Sequence, residues 1–343
     1  MVYLLYSTFT KRDVSILSNY YNESLYHFNT EKKYYLIFAF FKQFLFFLFN
    51  FYKYKITIIQ SSGYLSFLPV IFGKILNKPI IIIAIGTDCA KLPEINYGAH
   101  SKALLSWFTC FSFKKASLIL PVHKSLENSL YSYKSVKYPN QGIRSLCKNV
   151  NTEIIEIVNG YDTQKWKLIN NIREKKSFLT VTFAVNEIGY YRKGIDLILK
   201  TAKLFPNYHF TIVGKVYLKE ECPENIQLIG NVNQIELVKI YNNHKYYLQL
   251  SMFEGFPNAL CEAMLCGCIP IGSNVAGIPD IIGDKGYILE KKDETLLKNI
   301  ILTLDTNDIQ PSQVREQIVT NFPIERREKN LKHQITKILR KYK

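Results

Sequence analysis

The chain reads as an α/β protein with two doubly wound parallel-sheet domains in series. Three observations predict this. Short runs rich in β-branched residues alternate with longer helix-compatible stretches, the pattern of repeated βαβ units. The runs are continuously apolar rather than alternating, as strands covered on both faces are. The alternation also breaks once, in a polar stretch near residue 160, and then restarts. A chain of 343 residues is long for one core and suits two.

In the first half, strands are expected at Val2–Tyr6, Ile56–Gln60, Ile80–Ile85, Leu118–Val122 and Glu153–Val158. Helices are expected at Tyr64–Leu76 and Lys124–Tyr133. Asn159-Gly-Tyr-Asp162 supplies a turn, because Asn-Gly tolerates tight backbone geometry. Thr163–Ser177, polar and with five Lys/Arg, is the expected connection. Strands then return at Phe178–Ala184, Tyr208–Val213, Ile226–Ile229, Tyr246–Leu250, Ile269–Gly272 and Tyr287–Leu289. Helices fill Gly194–Phe205, Gln234–Asn242 and Ala259–Cys266, and the last fifty residues read as helical, ending in a basic amphipathic segment from Ile324 to Tyr342. The expected organisation is 1–162, 163–322, and a basic helix over 323–343 that packs back on the first domain.

The net charge is +16, and the chain up to Gly160 holds 18 Lys+Arg against 8 Asp+Glu. Such an excess attracts anionic lipid head groups or a phosphorylated acceptor. No zinc finger, RNA-binding signature or basic zipper is present, so nucleic acid is not an expected partner. Seven cysteines scattered along the chain suggest reduced thiols in a cytosolic setting. Cys261, Cys266 and Cys268 sit in apolar runs, and Cys266-Gly-Cys268 has the wrong spacing for a metal clamp, so no metal is expected. The N-terminus opens straight into an apolar strand, without the basic region and core of a signal peptide. Tyr34–Tyr52 is almost wholly aromatic or aliphatic, interrupted by Lys42, Gln43 and Asn50. Three readings of it stand open: a helix packed in the protein, a helix in a membrane interface, and a membrane span. Flanking Lys32, Lys33, Lys53 and Lys55 suit the interfacial one.

Chemistry concentrates in Phe253-Glu-Gly-Phe-Pro-Asn-Ala-Leu-Cys-Glu262 and the helical run that follows. A strand ends near Ser251, a glycine-bearing loop follows, and a helix begins at Pro257, where proline's missing N–H does no harm. The free N–H groups of Asn258, Ala259 and Leu260 form an anion site there. Glu254 stands before that site, and Glu262 is a lone carboxylate in an apolar helical segment, a position that asks for a partner.

This stretch resembles the Glu-x7-Glu motif of the retaining glycosyltransferases of family 4, which have the GT-B fold of two Rossmann-like domains facing a cleft. Gly277-Ile-Pro-Asp280, Gly283 and Gly286-Tyr-Ile-Leu289 continue the likeness. The resemblance implies that Glu262 accepts hydrogen bonds from the nucleotide ribose and that Glu254 sits beside the transferred sugar. Phe256, Pro257 and Asn258 would offer backbone contacts to sugar and diphosphate. Tyr191-Arg-Lys-Gly-Ile-Asp196 resembles the family's Lys-Gly-hydrophobic-Asp signature, which makes Arg192 and Lys193 the cations for the leaving diphosphate. The family's arginine five residues before that lysine is replaced by Ile188, and Arg192 is the candidate substitute. Gly230, Asn231 and Val232 resemble the loop lining the nucleobase. On the acceptor side, Gly86-Thr-Asp88 lacks the family's preceding histidine, Ile85 standing there instead. Asp88 and His123 remain the acceptor-side candidates, with Glu127 near the latter.

The expected function is a retaining, hexosyl-type transferase in cell-surface polysaccharide or lipopolysaccharide synthesis. It would use a UDP- or GDP-linked sugar, a glycan or lipid-linked acceptor, and no cofactor. It would be cytoplasmic, peripheral on the inner face of the cell membrane. Two rival classes stand beside it: a nucleotide-sugar epimerase or hydrolase on the same fold, and a non-catalytic glycan- or membrane-binding protein. A dehydrogenase is disfavoured, since no Gly-x-Gly-x-x-Gly follows a predicted strand.

Overall fold

The computed structural model describes residues 1–4, 7–29, 35–169, 172–304 and 309–342. Among them, β1 (Val2–Tyr3), β2 (Tyr26–His27), β3 (Thr57–Gln60), β4 (Ile80–Ala84) and β5 (Leu118–Pro121) form a parallel sheet in the order β2-β1-β3-β4-β5. It is covered by α1 (Thr8–Ser18), α2 (Tyr35–Asn50), α3 (Tyr64–Ile75) and α4 (Ala103–Lys115). Ile80 to Ala84 are at most 1% exposed, which is why that strand is a solid apolar run. A small antiparallel pair, β6 (Ser129–Leu130) with β7 (Asn140–Gln141), and the one-turn α5 (Ile143–Leu146) complete this half.

The second sheet is also parallel, in the order β10-β9-β8-β11-β12-β13. Its strands are β8 (Glu174–Val185), β9 (His209–Val216), β10 (Ile226–Ile229), β11 (His244–Gln249), β12 (Ile269–Ser273) and β13 (Tyr287–Leu289). The helices are α6 (Glu187–Arg192), α7 (Ile195–Leu204), α8 (Gln234–Asn243), α9 (Asn258–Leu265), α10 (Ile278–Ile282), α11 (Glu294–Thr303) and α12 (Pro311–Asn321). Phe178 stacks between Phe210 and Tyr246, with ring centroids 5.0 and 5.1 Å away, and fixes the three central strands.

The last helix, α13 (Ile324–Lys341), returns to the first sheet. Arg327, 1% exposed, places Nε and Nη2 on the two oxygens of Asp13 in α1, at 2.7 and 2.8 Å, and Nη1 on the carbonyls of Ile157 and Val158. Burial acts to raise the Asp13 carboxyl, and the Arg327 guanidinium more than offsets it, leaving the group below the usual range.

Four expectations need correction. Glu153–Val158 runs beside β5 with backbone hydrogen bonds from Ile119 to Glu153, Ile155 to Ile119 and Ile157 to Pro121, but it pairs as a parallel bridge only at Ile119–Ile154, and its last carbonyls serve Arg327. Lys124–Tyr133 is not a helix: a 3₁₀ turn at Lys124–Leu126 leads into β6, because pairing with β7 overrides the local pattern. Val2–Tyr6 is a strand at Val2–Tyr3 only, and Leu5 and Tyr6 lie outside the described residues. The cysteines are not all thiols. The fold brings the end of α5 against α4, and Cys110 and Cys147 are joined in a disulfide, while Cys261, Cys266 and Cys268 are buried and free. Tyr34, Lys32 and Lys33 lie outside the described residues, but α2 itself buries a stripe of Ala39, Gln43 and Phe47 against the protein, with Leu36, Phe40 and Phe46 packed beside it.

Candidate active site

The loops at the carboxyl ends of β8 and β11 build the site, where parallel sheets present their ligands' partners. Lys193 caps the C-terminus of α6, and Gly194 follows at φ +74. A Cβ at Gly194 would lie 2.4 Å from the Leu250 carbonyl oxygen, so only glycine lets the chain turn into α7 this close to β11. The Met252 amide donates to the Arg192 carbonyl at 2.7 Å and staples the two loops together.

That staple brings charge together. Lys193 Nζ donates to Glu254 Oε1, Arg192 reaches the same oxygen at 3.4 Å, and the Ser251 hydroxyl donates to it at 3.1 Å. Burial acts to raise the Glu254 carboxyl, but Lys193 and Arg192 prevail and hold it below its ordinary value. Burial acts on Lys193 in the other direction and lowers it in spite of Glu254. A cation kept partly desolvated beside a cleft is available to charge that develops there. Across the cleft the Tyr97 ring lies over the Arg192 guanidinium, 4.9 Å from its centroid. A cavity of about 390 Å³ between Thr87, Tyr97 and Lys102 on one side and Asn186, Ile188 and Arg192 on the other opens at this point.

Glu262, on α9, stands in a different environment. Burial raises its carboxyl to about 7, with Arg12 and the Tyr241 hydroxyl pulling the other way. Tyr247 feels the charge of both glutamates, and a polar run leads from it to Glu254. Tyr247 contacts Gln249 at 3.5 Å, Gln249 donates to Ser251 at 2.8 Å, and Ser251 donates to Glu254. Burial pushes the Tyr247 phenol up, and both Glu262 and Glu254 push it further.

The first half contributes residues that the motifs do not mark. Arg12 of α1 lies over the rings of Phe9 and Tyr161, 5.2 and 5.1 Å from their centroids, and donates to Asn258 Oδ1 at 3.4 Å. Its Nε and Nη2 are buried without a partner, an uncommon state for a guanidinium. Asn258 also accepts from Tyr161 at 2.9 Å and donates to Thr8 at 3.2 Å, so its side chain bridges the halves. The signal in the sequence is modest: a basic pair, Lys11-Arg12, shortly after the first strand. Gly255 makes the closest crossing, since a Cβ there would sit 2.3 Å from the Ile85 carbonyl oxygen.

The remaining candidates divide. Phe256 is buried against Phe322 at 5.1 Å, and its carbonyl accepts from Asn159 at 3.3 Å. Pro257 is the N-cap of α9, so the helix begins one residue later than expected, at Asn258, followed by Ala259 and fully buried Leu260. Gly230, Asn231 and Val232 follow edge strand β10, and the first two are exposed. Asp196 is engaged by Lys292 at 2.7 Å. Asp88 is not open to the cleft. Its carboxylate, 1% exposed, accepts from the amides of Ser62, Ile85 and Gly86 at 2.8, 3.2 and 3.1 Å, and ties together the loops after β3 and β4. His123 is likewise a seam residue, contacting Ser125 at 2.9 Å and Asp280 of the second half at 3.1 Å. Glu127 pairs with Arg144 at 2.6 Å.

Residues 162–321 match the family of glycosyl transferases group 1. A phosphatidylinositol N-acetylglucosaminyltransferase component from Arabidopsis thaliana is 23% identical over 154 residues, 41% of this chain and 34% of that protein. The capsular polysaccharide biosynthesis glycosyltransferase CapM of Staphylococcus aureus is 27% identical over 155 residues, 39% of this chain and 40% of its own. The chain thus spans less than half the length of either relative. Among solved structures, HepE of Anabaena in complex with UDP superposes with a TM-score of 0.68 at 12% identity, covering 98% of this chain and 99% of that one. The second domain therefore resembles the glycosyl transferases group 1 family over residues 162–321, and the two sheets have the GT-B fold of the solved structures they superpose on.

Proposed function

We propose that this chain transfers a sugar from a nucleoside-diphosphate donor to a hydroxyl acceptor, with the anomeric configuration retained. One observation carries the reading: Lys193 and Arg192 converge on Glu254 in the cleft, and Glu262, whose charge acts on the same Tyr247 as that of Glu254, has a carboxyl that burial has raised. The ribose of a nucleotide would give Glu262 the hydroxyl donors that stabilise its charged form. As the bond from the anomeric carbon to the phosphate oxygen breaks, negative charge grows on the diphosphate, and Lys193 and Arg192 are fixed to receive it. The acceptor oxygen attacks from the same face, and its proton passes to the departing phosphate oxygen. The unpartnered edge of Arg12 adds a third cation from the opposite half when the cleft holds a donor. These cations and the amides opening α9 serve the diphosphate in place of a metal. A metal requirement is tested by transfer in excess chelator, and its loss there would defeat this part.

The resemblance to HepE in complex with UDP supports a UDP-linked donor, with a GDP-linked one as the alternative, and the resemblance to CapM supports a surface-glycan acceptor. We place the protein in the cytoplasm, on the inner face of the cell membrane. The Cys110–Cys147 bond sits poorly with a reducing compartment, so thiol labelling of freshly lysed cells is informative: both cysteines alkylated without reductant fits this placement, both protected opposes it.

The deciding experiment is a melting screen of the full chain against UDP- and GDP-sugars. A productive donor at 100 times its dissociation constant adds about 2.7 kcal/mol of stability. Nucleotide release that needs an added acceptor marks a transferase, whereas release without one marks a hydrolase. A chain that no nucleotide sugar stabilises overturns the reading.

A further inference from the structure

The outer surface of the first half inverts the usual arrangement of polar and apolar groups. In α2 the inward stripe is Ala39, Gln43 and Phe47, and Gln43 spends its amide on the Leu65 carbonyl at 2.9 Å. Leu36, Phe40 and Phe46 pack beside that stripe, and the opposite side of the helix turns apolar side chains to solvent: Ile37 is 81% exposed, Phe38 61% and Phe49 64%, with Phe41, Phe44 and Leu48 also exposed. The face does not end with α2. Phe40 meets Phe67 of α3 at 6.3 Å and Phe108 of α4 at 5.6 Å, and Phe67 meets Trp107, itself 54% exposed, at 5.8 Å. Leu104 on α4 and Ile75 at the end of α3 extend the exposed apolar area. Scattered exposed apolar residues need no explanation, but a continuous aromatic face across three helices marks a binding surface.

Its charge selects the occupant. No aspartate or glutamate occurs between Glu31 and Asp88, or between Glu94 and Glu127, so α2, α3 and α4 carry none. Lys42, Lys53, Lys55, Lys74, Lys114 and Lys115 are all exposed there, and Lys42 Nζ lies 5.6 Å from the Phe38 ring centroid. A second copy meeting this face would set lysines against lysines. A bilayer interface with anionic head groups takes rings and lysines together, the rings at the acyl boundary and the ammonium groups at the phosphates. The inward stripe runs from Ala39 to Phe47, so the helix lies along the protein, an orientation that suits the plane of such a surface.

We infer that the α2–α3–α4 face seats this protein on an anionic lipid surface. The inference deepens the membrane placement proposed above and rests on it. The site geometry makes the seating useful. Lys102 is both the N-cap of α4 and a wall of the interdomain cavity, and Leu104 and Trp107 follow it on the face. An acceptor anchored in the bilayer would therefore present its head group at the cavity mouth.

The test uses the full chain in flotation with vesicles of phosphatidylglycerol and phosphatidylcholine, against pure phosphatidylcholine, at low salt. The expected result is binding to the anionic vesicles, at least tenfold weaker on pure phosphatidylcholine, and at least tenfold weaker for a triple Phe38→Ser, Phe41→Ser, Trp107→Ala variant. These side chains are already more than half exposed, and an unchanged melting temperature with the same shift on adding a nucleotide sugar verifies that the variant is folded. No binding to either vesicle overturns the inference. So does binding that the triple variant retains, and so does a wild-type dimer that the variant disperses without vesicle binding. Vesicle binding by a protein that no nucleotide sugar stabilises would sink the transferase reading and leave this one standing.

Discussion

The seam between the two halves and the outer face of the first half break the same burial rule in opposite directions. Along the seam, charge is buried or half-buried: Arg327 with Asp13 fully inside, Lys193 and Arg192 with Glu254 partly so, and Arg12 acting on half-buried Glu262. On the face, rings are outside and the one buried polar group of the α2 stripe is Gln43. Each arrangement is unfavourable for an isolated domain. The seam charges have protein partners or stand where a donor would supply them, so they belong to the fold and the chemistry. The rings, among the described residues, have no protein partner on their outer side, so they belong to an encounter. Substitutions should therefore be expensive in stability at one region and nearly free at the other.

The largest effect should come from Arg327→Met. It strands Asp13 as a buried unpaired carboxylate, and breaking such a pair removes about 3–5 kcal/mol, read in urea unfolding. The added change Asp13→Leu should restore much of the loss. Because the Asp13 carboxyl is held low, the native protein keeps this contribution above the ordinary carboxylate range and loses it as pH falls through the folded value. Arg327→Met should lack that acid dependence.

Lys193→Met comes next. It should lower acceptor-dependent nucleotide release by about 10²–10³-fold, the scale for one preorganised electrostatic group, with the fold intact by circular dichroism. A drop smaller than threefold would remove Lys193 from the chemistry and leave it as a partner of Glu254.

Glu262→Gln should separate stability from function. The folded carboxyl titrates near 7 while its unfolded reference is 4.5. Between those values the folded chain holds a proton that the unfolded chain has released, so stability falls as pH rises. The neutral amide removes that slope, and at pH 8 the variant should be more stable by about 1–3 kcal/mol yet bind donor more weakly. Wild-type donor affinity should fall below pH 7 as the carboxylate is protonated. A variant that binds donor as well as wild type would end the ribose assignment.

The smallest effect is Phe41→Ser on the face, within about 0.5 kcal/mol in urea unfolding. A loss above 2 kcal/mol would mean that the ring is core after all, and the contrast between the two regions would fail.

The second half was more legible than the first. Ile226–Ile229 and Tyr287–Leu289 are strands at the expected residues, and the other expected strands there shift by a few residues at most at their ends. Central parallel strands announce themselves because both faces are covered. Glu254, Arg192 and Lys193 could be singled out because the loops that carry them follow such strands and resemble the motifs of a glycosyltransferase family. Edge strand β2, the β6–β7 pair and the fate of Lys124–Tyr133 were hidden, since two-residue strands have no period to read.

Asp88 and His123 show what position along a chain leaves open. Both follow strand ends, where ligands bind, yet Asp88 is consumed by three amides and His123 by Ser125 and Asp280. By itself the sequence determined the two parallel sheets, the glutamate-bearing loop and helix, and the basic turn at Lys193, because these depend on local period, caps and spacing. Only the tertiary structure decided that Arg12 and Tyr161 reach Asn258 at the start of α9, that Cys110 meets Cys147, and that α2 wears many of its rings outward. Those outcomes depend on which distant surfaces are pressed together, and burial is a property of the packed chain rather than of any one segment.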